Sequence, residues 1–574
     1  MYILGISAFY HDSATVLISN GEIICAIEEE RLTRIKHDNQ FPLQAIQKCL
    51  KDCNLGINDI DCIAYYEKPL LKFERILQTF VETYPFSLKP FLKAIPDWIG
   101  QKIKVEQIIR KDLDYKGKIY FSSHHLSHAA AAFYPSPFKN SAILTADGVG
   151  EYQTTALWRG QDKEITSLKS INFPHSLGLL YSTFTSFLGF KVNEDEYKVM
   201  GLAAYGKPTF VDDIYKLLEV KEDGSFELNM KYFSFRESFQ MWSKAFENLF
   251  GNPRKPTGKV TTRDENLAVS IQTVTEEIYF KILNHLYQLT KTKNLCISGG
   301  VALNALANGK IYHRTPFKKV YVFGAAGDSG GALGAALLIN YHAFNGNPKT
   351  PINNLSLGST YSNGEIKEIL KEYKLKYEFI SDEDELVEKV AFLLAKDKII
   401  GWFQGKMEFG PRALGARSIL ANPKPSWMKN KVNIVKRREL FRPFAGSILQ
   451  SKVDEYFKVP EKNYFSPFMT FCFQATEKGR ENLSAIVHED NSCRIQTVNI
   501  ENGRYFKLIQ RFYKITGIPC ILNTSFNLKG EPIVENPKQA IKDFLRTKMD
   551  ALIIENYFIL KSTYKRKFHF YLNI

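Results

Sequence analysis

The first forty residues alternate between apolar blocks and short polar breaks. "YILGIS" (2–7) is apolar, "AFYHDS" (8–13) is a polar turn, "ATVLIS" (14–19) alternates and ends at Asn20-Gly21, and "EIICAIEEE" (22–30) follows. An Asn-Gly pair between two apolar runs is a hairpin signal, so the block predicts strand, turn, strand, turn, strand. The same texture returns after residue 141 in "AILTADGVGEYQTTALWRGQDKEITSL". A three-strand unit repeated at this distance predicts a duplicated α/β domain over residues 1–347. Inside it, "HHLSHAAAAF" (124–133) carries an alanine run that favours a helix, and "CISGGVALNALANG" (296–309) and "VFGAAGDSGGALGAAL" (322–337) each read as strand, glycine turn, helix. The texture changes after residue 345. "NGNPKTPINNLSLGSTYSNG" is rich in Asn, Pro, Gly and Ser and predicts a linker at 348–365. Beyond it, apolar residues at helical spacing predict helices in "GEIKEILKEY" and "DEDELVEKVAFLLAKD", and "KIIGWFQG" reads as a strand, so a second α/β domain is expected over 366–574.

Composition narrows the class. A chain of 574 residues is too long for one core. Its 44% hydrophobic and 24% charged residues are those of a globular protein, and no stretch reads as a membrane span or a signal peptide. The eight cysteines form no CxxC pair, which points to a reduced, cytoplasmic setting, and with no spanning stretch no membrane partner is expected. The formal charge of +15 fits an anionic ligand. The basic tail "KSTYKRKFHF" (561–570) could touch a polyanion, but no RNA-binding signature accompanies it, and no nucleic-acid partner is expected.

Three glycine loops follow apolar strands. They hold Gly148 and Gly150 in "DGVGE", Gly299 and Gly300 in "SGG", and Gly327 with Ser329 in "AGDSGG". Glycines in such turns can free backbone N–H groups for a phosphate, although tight turns use them too. His124 and His128 stand four apart, on one face of the predicted helix. They are either ordinary cap or core histidines or a metal pair. Asp147 and Asp328, in two of the glycine loops, read either as Asx turns or as further ligands. Two imidazoles with two carboxylates suit a divalent transition metal. The duplicated core itself is like the ribonuclease-H-like fold of the actin, hexokinase and Hsp70 group, which clamps ATP; that step is fold analogy.

"HHLSHAAAAFYPSPF", "TADGVGE", "DEYKVMGLAAYG", "SGGVALN", "GDSGGALGAA", "GPRALGARSIL", "VKRRELFRPFA" and "NTSFNLKGEPIV" together resemble the O-carbamoyltransferases of nodulation-factor and antibiotic biosynthesis, from about residue 2 to residue 560. The resemblance implies an actin-like N-terminal domain and a YrdC-like C-terminal domain. It implies iron, as Fe(II) or another divalent ion, on His124, His128, Asp147 and Asp328, with His125 beside the site and not a ligand. It implies His11 near the acceptor and acting as a base, and Gly299, Gly300 and Asn304 holding an adenylate, with Lys198 and Glu196 in the same cleft. In the second domain it implies an anion-binding catalytic set of Arg412, Lys436, Arg442, Arg494 and Asn523. Glu408 and Glu439 offer the alternative of structural ion pairs for the neighbouring cations, Arg417 and Arg438 above all.

The reaction so implied joins carbamoyl phosphate and ATP, with Mg2+, into carbamoyl adenylate. It then passes the carbamoyl group to a hydroxyl of a sugar or other natural product. A tRNA-modifying enzyme of threonylcarbamoyladenosine type and a non-catalytic actin-like ATP-binding protein are the alternatives. A homodimer is allowed by the sequence and not argued by it. The aromatic-rich stretch 210–262 lies outside every motif.

Overall fold

A computed structural model describes residues 1–346 and 351–561. They divide into two compact units, one of residues 1–29 and 37–352 and the other of residues 30–36 and from 353 onward.

The first unit holds two five-stranded sheets with one topology. In the first sheet Tyr2–Ser7 pairs antiparallel with Ala14–Ser19, which pairs antiparallel with Glu22–Glu28. On its other side Tyr2–Ser7 runs parallel to Cys62–Tyr65, and that strand to Lys118–Phe121. The second sheet repeats this with Asn140–Ala146, Gln153–Gln161 and Glu164–Asn172 as the antiparallel meander and Asn294–Ser298 and Lys319–Val322 as the parallel strands. The repeat read from the sequence is therefore a structural duplication of the ribonuclease-H-like pattern. The central strands Tyr2–Ser7 and Asn140–Ala146 are buried on both faces, which is why they read as apolar runs; Ala14–Ser19 is buried on both faces as well, although its sequence reads as an alternation.

Two helices dominate the core. His124–Phe133 is buried almost throughout, because small alanines let it approach its neighbours closely. It packs along Asp328–His342, an equally buried helix of Gly, Ala and Leu. At Gly334 a Cβ would overlap the Ser127 carbonyl, so the contact requires glycine. The 29-residue helix Thr262–Thr290, started by a Thr261/Asp264 capping box, closes one side of the second sheet.

The second unit is built on one nine-stranded mixed sheet. Its order is Glu378–Phe379, Tyr557–Leu560, Ala551–Ile554, Ile400–Phe403, Arg417–Ala421, Cys520–Ser525, Ala445–Leu449, Ser492–Val498, Phe471–Gln474. The expected helices appear as Asn363–Glu372 and Glu383–Ala395. The expected linker differs. Its described part is pinned to the unit by backbone bonds between 355–359 and 407–409 at 2.8–3.1 Å, and its end begins the helix Asn363–Glu372. Asn, Pro and Gly mark irregular backbone there, not loose backbone. Of the basic tail, Lys561 is described and caps the carbonyls of Phe544 and Leu545; residues 562–570 lie outside the described residues.

Candidate active site

The helix His124–Phe133 begins against Glu151, whose carboxylate accepts from the His124 backbone N–H at 2.9 Å and from Lys68 N–H at 2.8 Å. That anion at a helix N-terminus fixes the first turn. His124 and His128 then project from one face and their Nε2 atoms lie 3.2 Å apart. Each Nε2 is 3.1 Å from Asp147 Oδ2, and Asp328 Oδ1 is 3.8 Å and 3.5 Å from them. Four ligand atoms thus fall within 4.8 Å of one another. Bonds of about 2.1 Å to a common ion set ligand–ligand edges of roughly 3.0–3.4 Å, so His124, His128 and Asp147 stand at coordination spacing and Asp328 stands just outside it.

The surroundings support that reading. Ser298 Oγ donates to the Ala326 carbonyl at 3.1 Å and so accepts from His128 Nδ1 at 3.3 Å, which turns Nε2 toward the carboxylates. Asp328 Oδ2 is buried without a hydrogen-bond partner. Burial opposes charge on His128, but Asp147 and Asp328 outweigh it and push the imidazole up to about 9. Burial likewise opposes ionisation of Asp147, yet the two histidines hold it well below the usual carboxylate range. A buried cluster this polarised suits a cation. His125 points elsewhere, with Nδ1 2.8 Å from Thr145 Oγ1, and is not among the converging donors.

The glycine loops do something other than the sequence predicts. Gly148 N–H and Gly300 N–H both donate to Asp147 Oδ1, at 2.8 and 3.3 Å. Gly150 N–H donates to Gln153 O and Gly299 N–H to Ala326 O. These groups orient the carboxylate and close the turns; they do not stand open to a phosphate. Close approach is why glycine is needed, since a Cβ on Gly150 would press on the His124 and His125 rings. Asn304 caps the helix Ala305–Arg314 and bonds Gln272, and the glycine pair leads into a 3-10 turn, Gly300–Leu303, and not directly into that helix. Lys198 pairs with Asp195 at 2.8 Å, and Glu196 accepts from Ser182 at 2.7 Å. Gly327 and Ser329 remain at the N-terminus of the 15-residue helix Asp328–His342, where first-turn N–H groups lack intrahelical acceptors.

His11 belongs to a second cluster. Asp12 bridges it to His37, with Oδ2 2.8 Å from His11 Nδ1 and Oδ1 2.7 Å from His37 Nδ1, and the two rings stack at 4.6 Å. Burial opposes the imidazolium of His11, but Asp12 pushes it up to about 9. The sequence carries no spacing signal for His37.

In the second unit Arg494, Ala445 and Asn523 are register neighbours on three adjacent strands, so they share one face. Lys436 is buried and donates to the carbonyls of Ser525 and Asn527 and to Asn527 Oδ1. Burial first, then Arg438 and Arg442, push its pKa well below the usual lysine range. Arg494 is lowered by burial and also by Arg442. Cations crowded this closely suit an anionic occupant. The loop bearing Arg412 is held by Glu408, whose Oε1 accepts from the N–H groups of Leu414, Ala416 and Arg417 at 2.6–3.2 Å. Arg417 is fully buried, binds the Gln404, Ala416 and Ser359 carbonyls and lies over Phe403, so it is structural. Arg438 bonds Asn433 and covers Phe444. Arg442 lies 3.6 Å from Glu439. Asn523 differs from expectation: its Nδ2 is committed to Ala413 O and Ser447 Oγ inside the unit, so it braces the site and has no amide hydrogen aimed at a ligand.

Comparison with known proteins places this geometry. Residues 2–337 match the family described as carbamoyltransferase N-terminus, and residues 391–561 match the carbamoyltransferase C-terminus. The uncharacterized protein sll1178 of Synechocystis is 44% identical, over 98% of this chain and 97% of that protein. Nodulation protein NolNO of Sinorhizobium fredii is 37% identical, over 97% of this chain and 80% of that protein. Among solved structures, component A of (R)-2-hydroxyglutaryl-CoA dehydratase from Acidaminococcus fermentans superposes with a TM-score of 0.32 at 15% identity, covering 60% of this chain and 99% of that one. With both family models matched in order over most of its length, the chain belongs to the carbamoyltransferases and is an enzyme that transfers carbamoyl groups.

Proposed function

We propose that the chain is an ATP-dependent O-carbamoyltransferase that works in two steps. In the second unit carbamoyl phosphate is hydrolysed to carbamate and phosphate. A carbamate oxygen then attacks the α-phosphorus of ATP, which enters as its Mg2+ complex, and pyrophosphate leaves. Arg412, Arg442 and Arg494 would hold the anionic groups, and their positive charge is worth most where charge develops in the transition state. Lys436, clamped on the Ser525–Asn527 turn, fixes the edge of that pocket.

In the first unit an acceptor hydroxyl attacks the carbamoyl carbonyl and AMP departs. His124, His128, Asp147 and Asp328 would hold Fe(II) or another divalent ion; such an ion polarises a carbonyl or acidifies a hydroxyl. The convergence of these four donors is the observation that carries the reading. His11 takes the hydroxyl proton in its neutral form, which Asp12 makes available only toward pH 9. The N-terminus of the helix Asp328–His342, with Gly327 and Ser329, would receive the adenylate phosphate.

The test is ATP–pyrophosphate exchange by protein supplied with Fe(II). Exchange that requires carbamoyl phosphate supports carbamoyl adenylate. Exchange that ignores carbamoyl phosphate, or its absence with every metal and acceptor offered, rejects it.

A further inference from the structure

Two consecutive helices of the first unit, Pro69–Thr83 and Leu88–Gly100, form an antiparallel hairpin, since Phe80 stacks on Phe91 near the turn and Phe73 meets Trp98 near the far end. The inner side of the first helix is fixed, with Lys72 paired to Glu67 and Arg75 over Phe173. Its outer side presents Leu70, Leu77 and Val81 at helical spacing, Val81 being 73% exposed. The second helix exposes Leu92 and Ile99, seven apart, and the turn exposes Tyr84 and, by 74%, Phe86. Single exposed apolar residues need no explanation, but a run of them along one hairpin does.

Charge selects the occupant. With Lys72 and Arg75 turned inward, residues 68–104 hold five further lysines against three carboxylates. Two of those carboxylates are paired, Glu82 with Arg236 and Asp97 with Lys102, while Lys89 and Lys93 are exposed beside Leu92. A second copy would set two positive faces against each other. Anionic headgroups would neutralise them, and aromatic, aliphatic and lysine side chains on one amphipathic segment are what the lipid interface favours. No described helix is long and apolar enough to cross a membrane, so the hairpin would lie in the interface. We propose that this hairpin docks the enzyme on an anionic lipid surface.

Flotation of the full chain tests this with vesicles of phosphatidylglycerol and phosphatidylcholine, against phosphatidylcholine alone. Binding is expected to the former only and to weaken with salt. Phe86→Ser with Leu92→Ser should lower the bound fraction at least about tenfold while the unfolding midpoint stays in place. Lys89→Glu with Lys93→Glu should remove the dependence on anionic lipid. The proposal is overturned if anionic vesicles do not float the protein, if the Phe86/Leu92 variant floats unchanged, or if the chain sediments as a dimer that this variant splits, which would assign the face to a second copy.

Discussion

At the scale of single residues, the proposed metal centre makes distinct demands on ligands and on the groups behind them. His128→Ala removes one of two imidazoles and should abolish both bound metal, read by elemental analysis, and carbamoyl transfer, while pyrophosphate exchange continues. Transfer that survives in this variant would remove His128 from the centre. Ser298→Ala keeps every ligand but frees the His128 ring, and should weaken metal binding about 10–100-fold. Asp12→Asn addresses protonation. Wild-type transfer should rise with pH up to about 9, where His11 loses its proton, and the variant's rise should move toward the ordinary histidine range. The same shift carries a stability sign. His11 binds its proton more tightly folded than unfolded, so its contribution is complete below about pH 6.5 and is lost as pH rises through about 9. A pH–rate profile that ignores Asp12→Asn would sink this role. His124, His128, Asp147 and Asp328 stand out in the sequence as a candidate set through the four-residue histidine spacing, the glycine loops and the family resemblance, and the structure brings their donor atoms within 4.8 Å of one another. Asn523 and the glycine N–H groups were misread because a hydrogen bond has a direction, and sequence shows only that the group exists.

At the scale of elements, the strands were legible where the chemistry of turns is strict. Asn20-Gly21 marks the hairpin between Ala14–Ser19 and Glu22–Glu28, and the alanine run gives His124–Phe133 its stated bounds. The 3-10 turn at Gly300–Leu303 was not, since a helix pattern begins on either side of Asn304. Packing between elements was not legible either. The helix Asp328–His342 reads as Gly-rich, yet what the glycine permits, contact with the Ser127 carbonyl, is a tertiary fact. Gly334→Val should therefore force the two helices apart. Overpacking of a close core contact costs about 1–3 kcal/mol, so a lower unfolding midpoint is expected, together with weaker metal binding, because both helices carry ligands. A variant with wild-type metal affinity would show that the helices can separate without disturbing the centre.

At the scale of the molecule, the boundary between units does not follow the sequence. The texture of the sequence changes after residue 345, whereas the second unit takes in residues 30–36 and resumes at 353. "ERLTRIK" differs from the strands before it in carrying the first Arg and Lys residues of the chain, Arg31, Arg34 and Lys36, but charge alone does not say which unit they join. Its arginines are long-range donors: Arg31 to Gly410 O at 2.8 Å, and Arg34 to Pro532 O and Ile533 O at 2.7 Å each. Gly410 lies in the loop that carries Arg412, and residues 532–533 follow the Ser525–Asn527 turn that clamps Lys436. A fragment of residues 353–574 would lose donors to three carbonyls next to the anion pocket, each buried unmet partner costing about 1–3 kcal/mol. Such a fragment should be less stable than the same unit in the whole chain and should lack pyrophosphate exchange. Addition of a peptide spanning 28–38 should raise its unfolding midpoint, and a peptide with both arginines changed to alanine should not. If the fragment alone exchanges pyrophosphate at the full-length rate, residues 30–36 contribute nothing to adenylation, and the two activities divide within 348–365, where the sequence texture puts the linker.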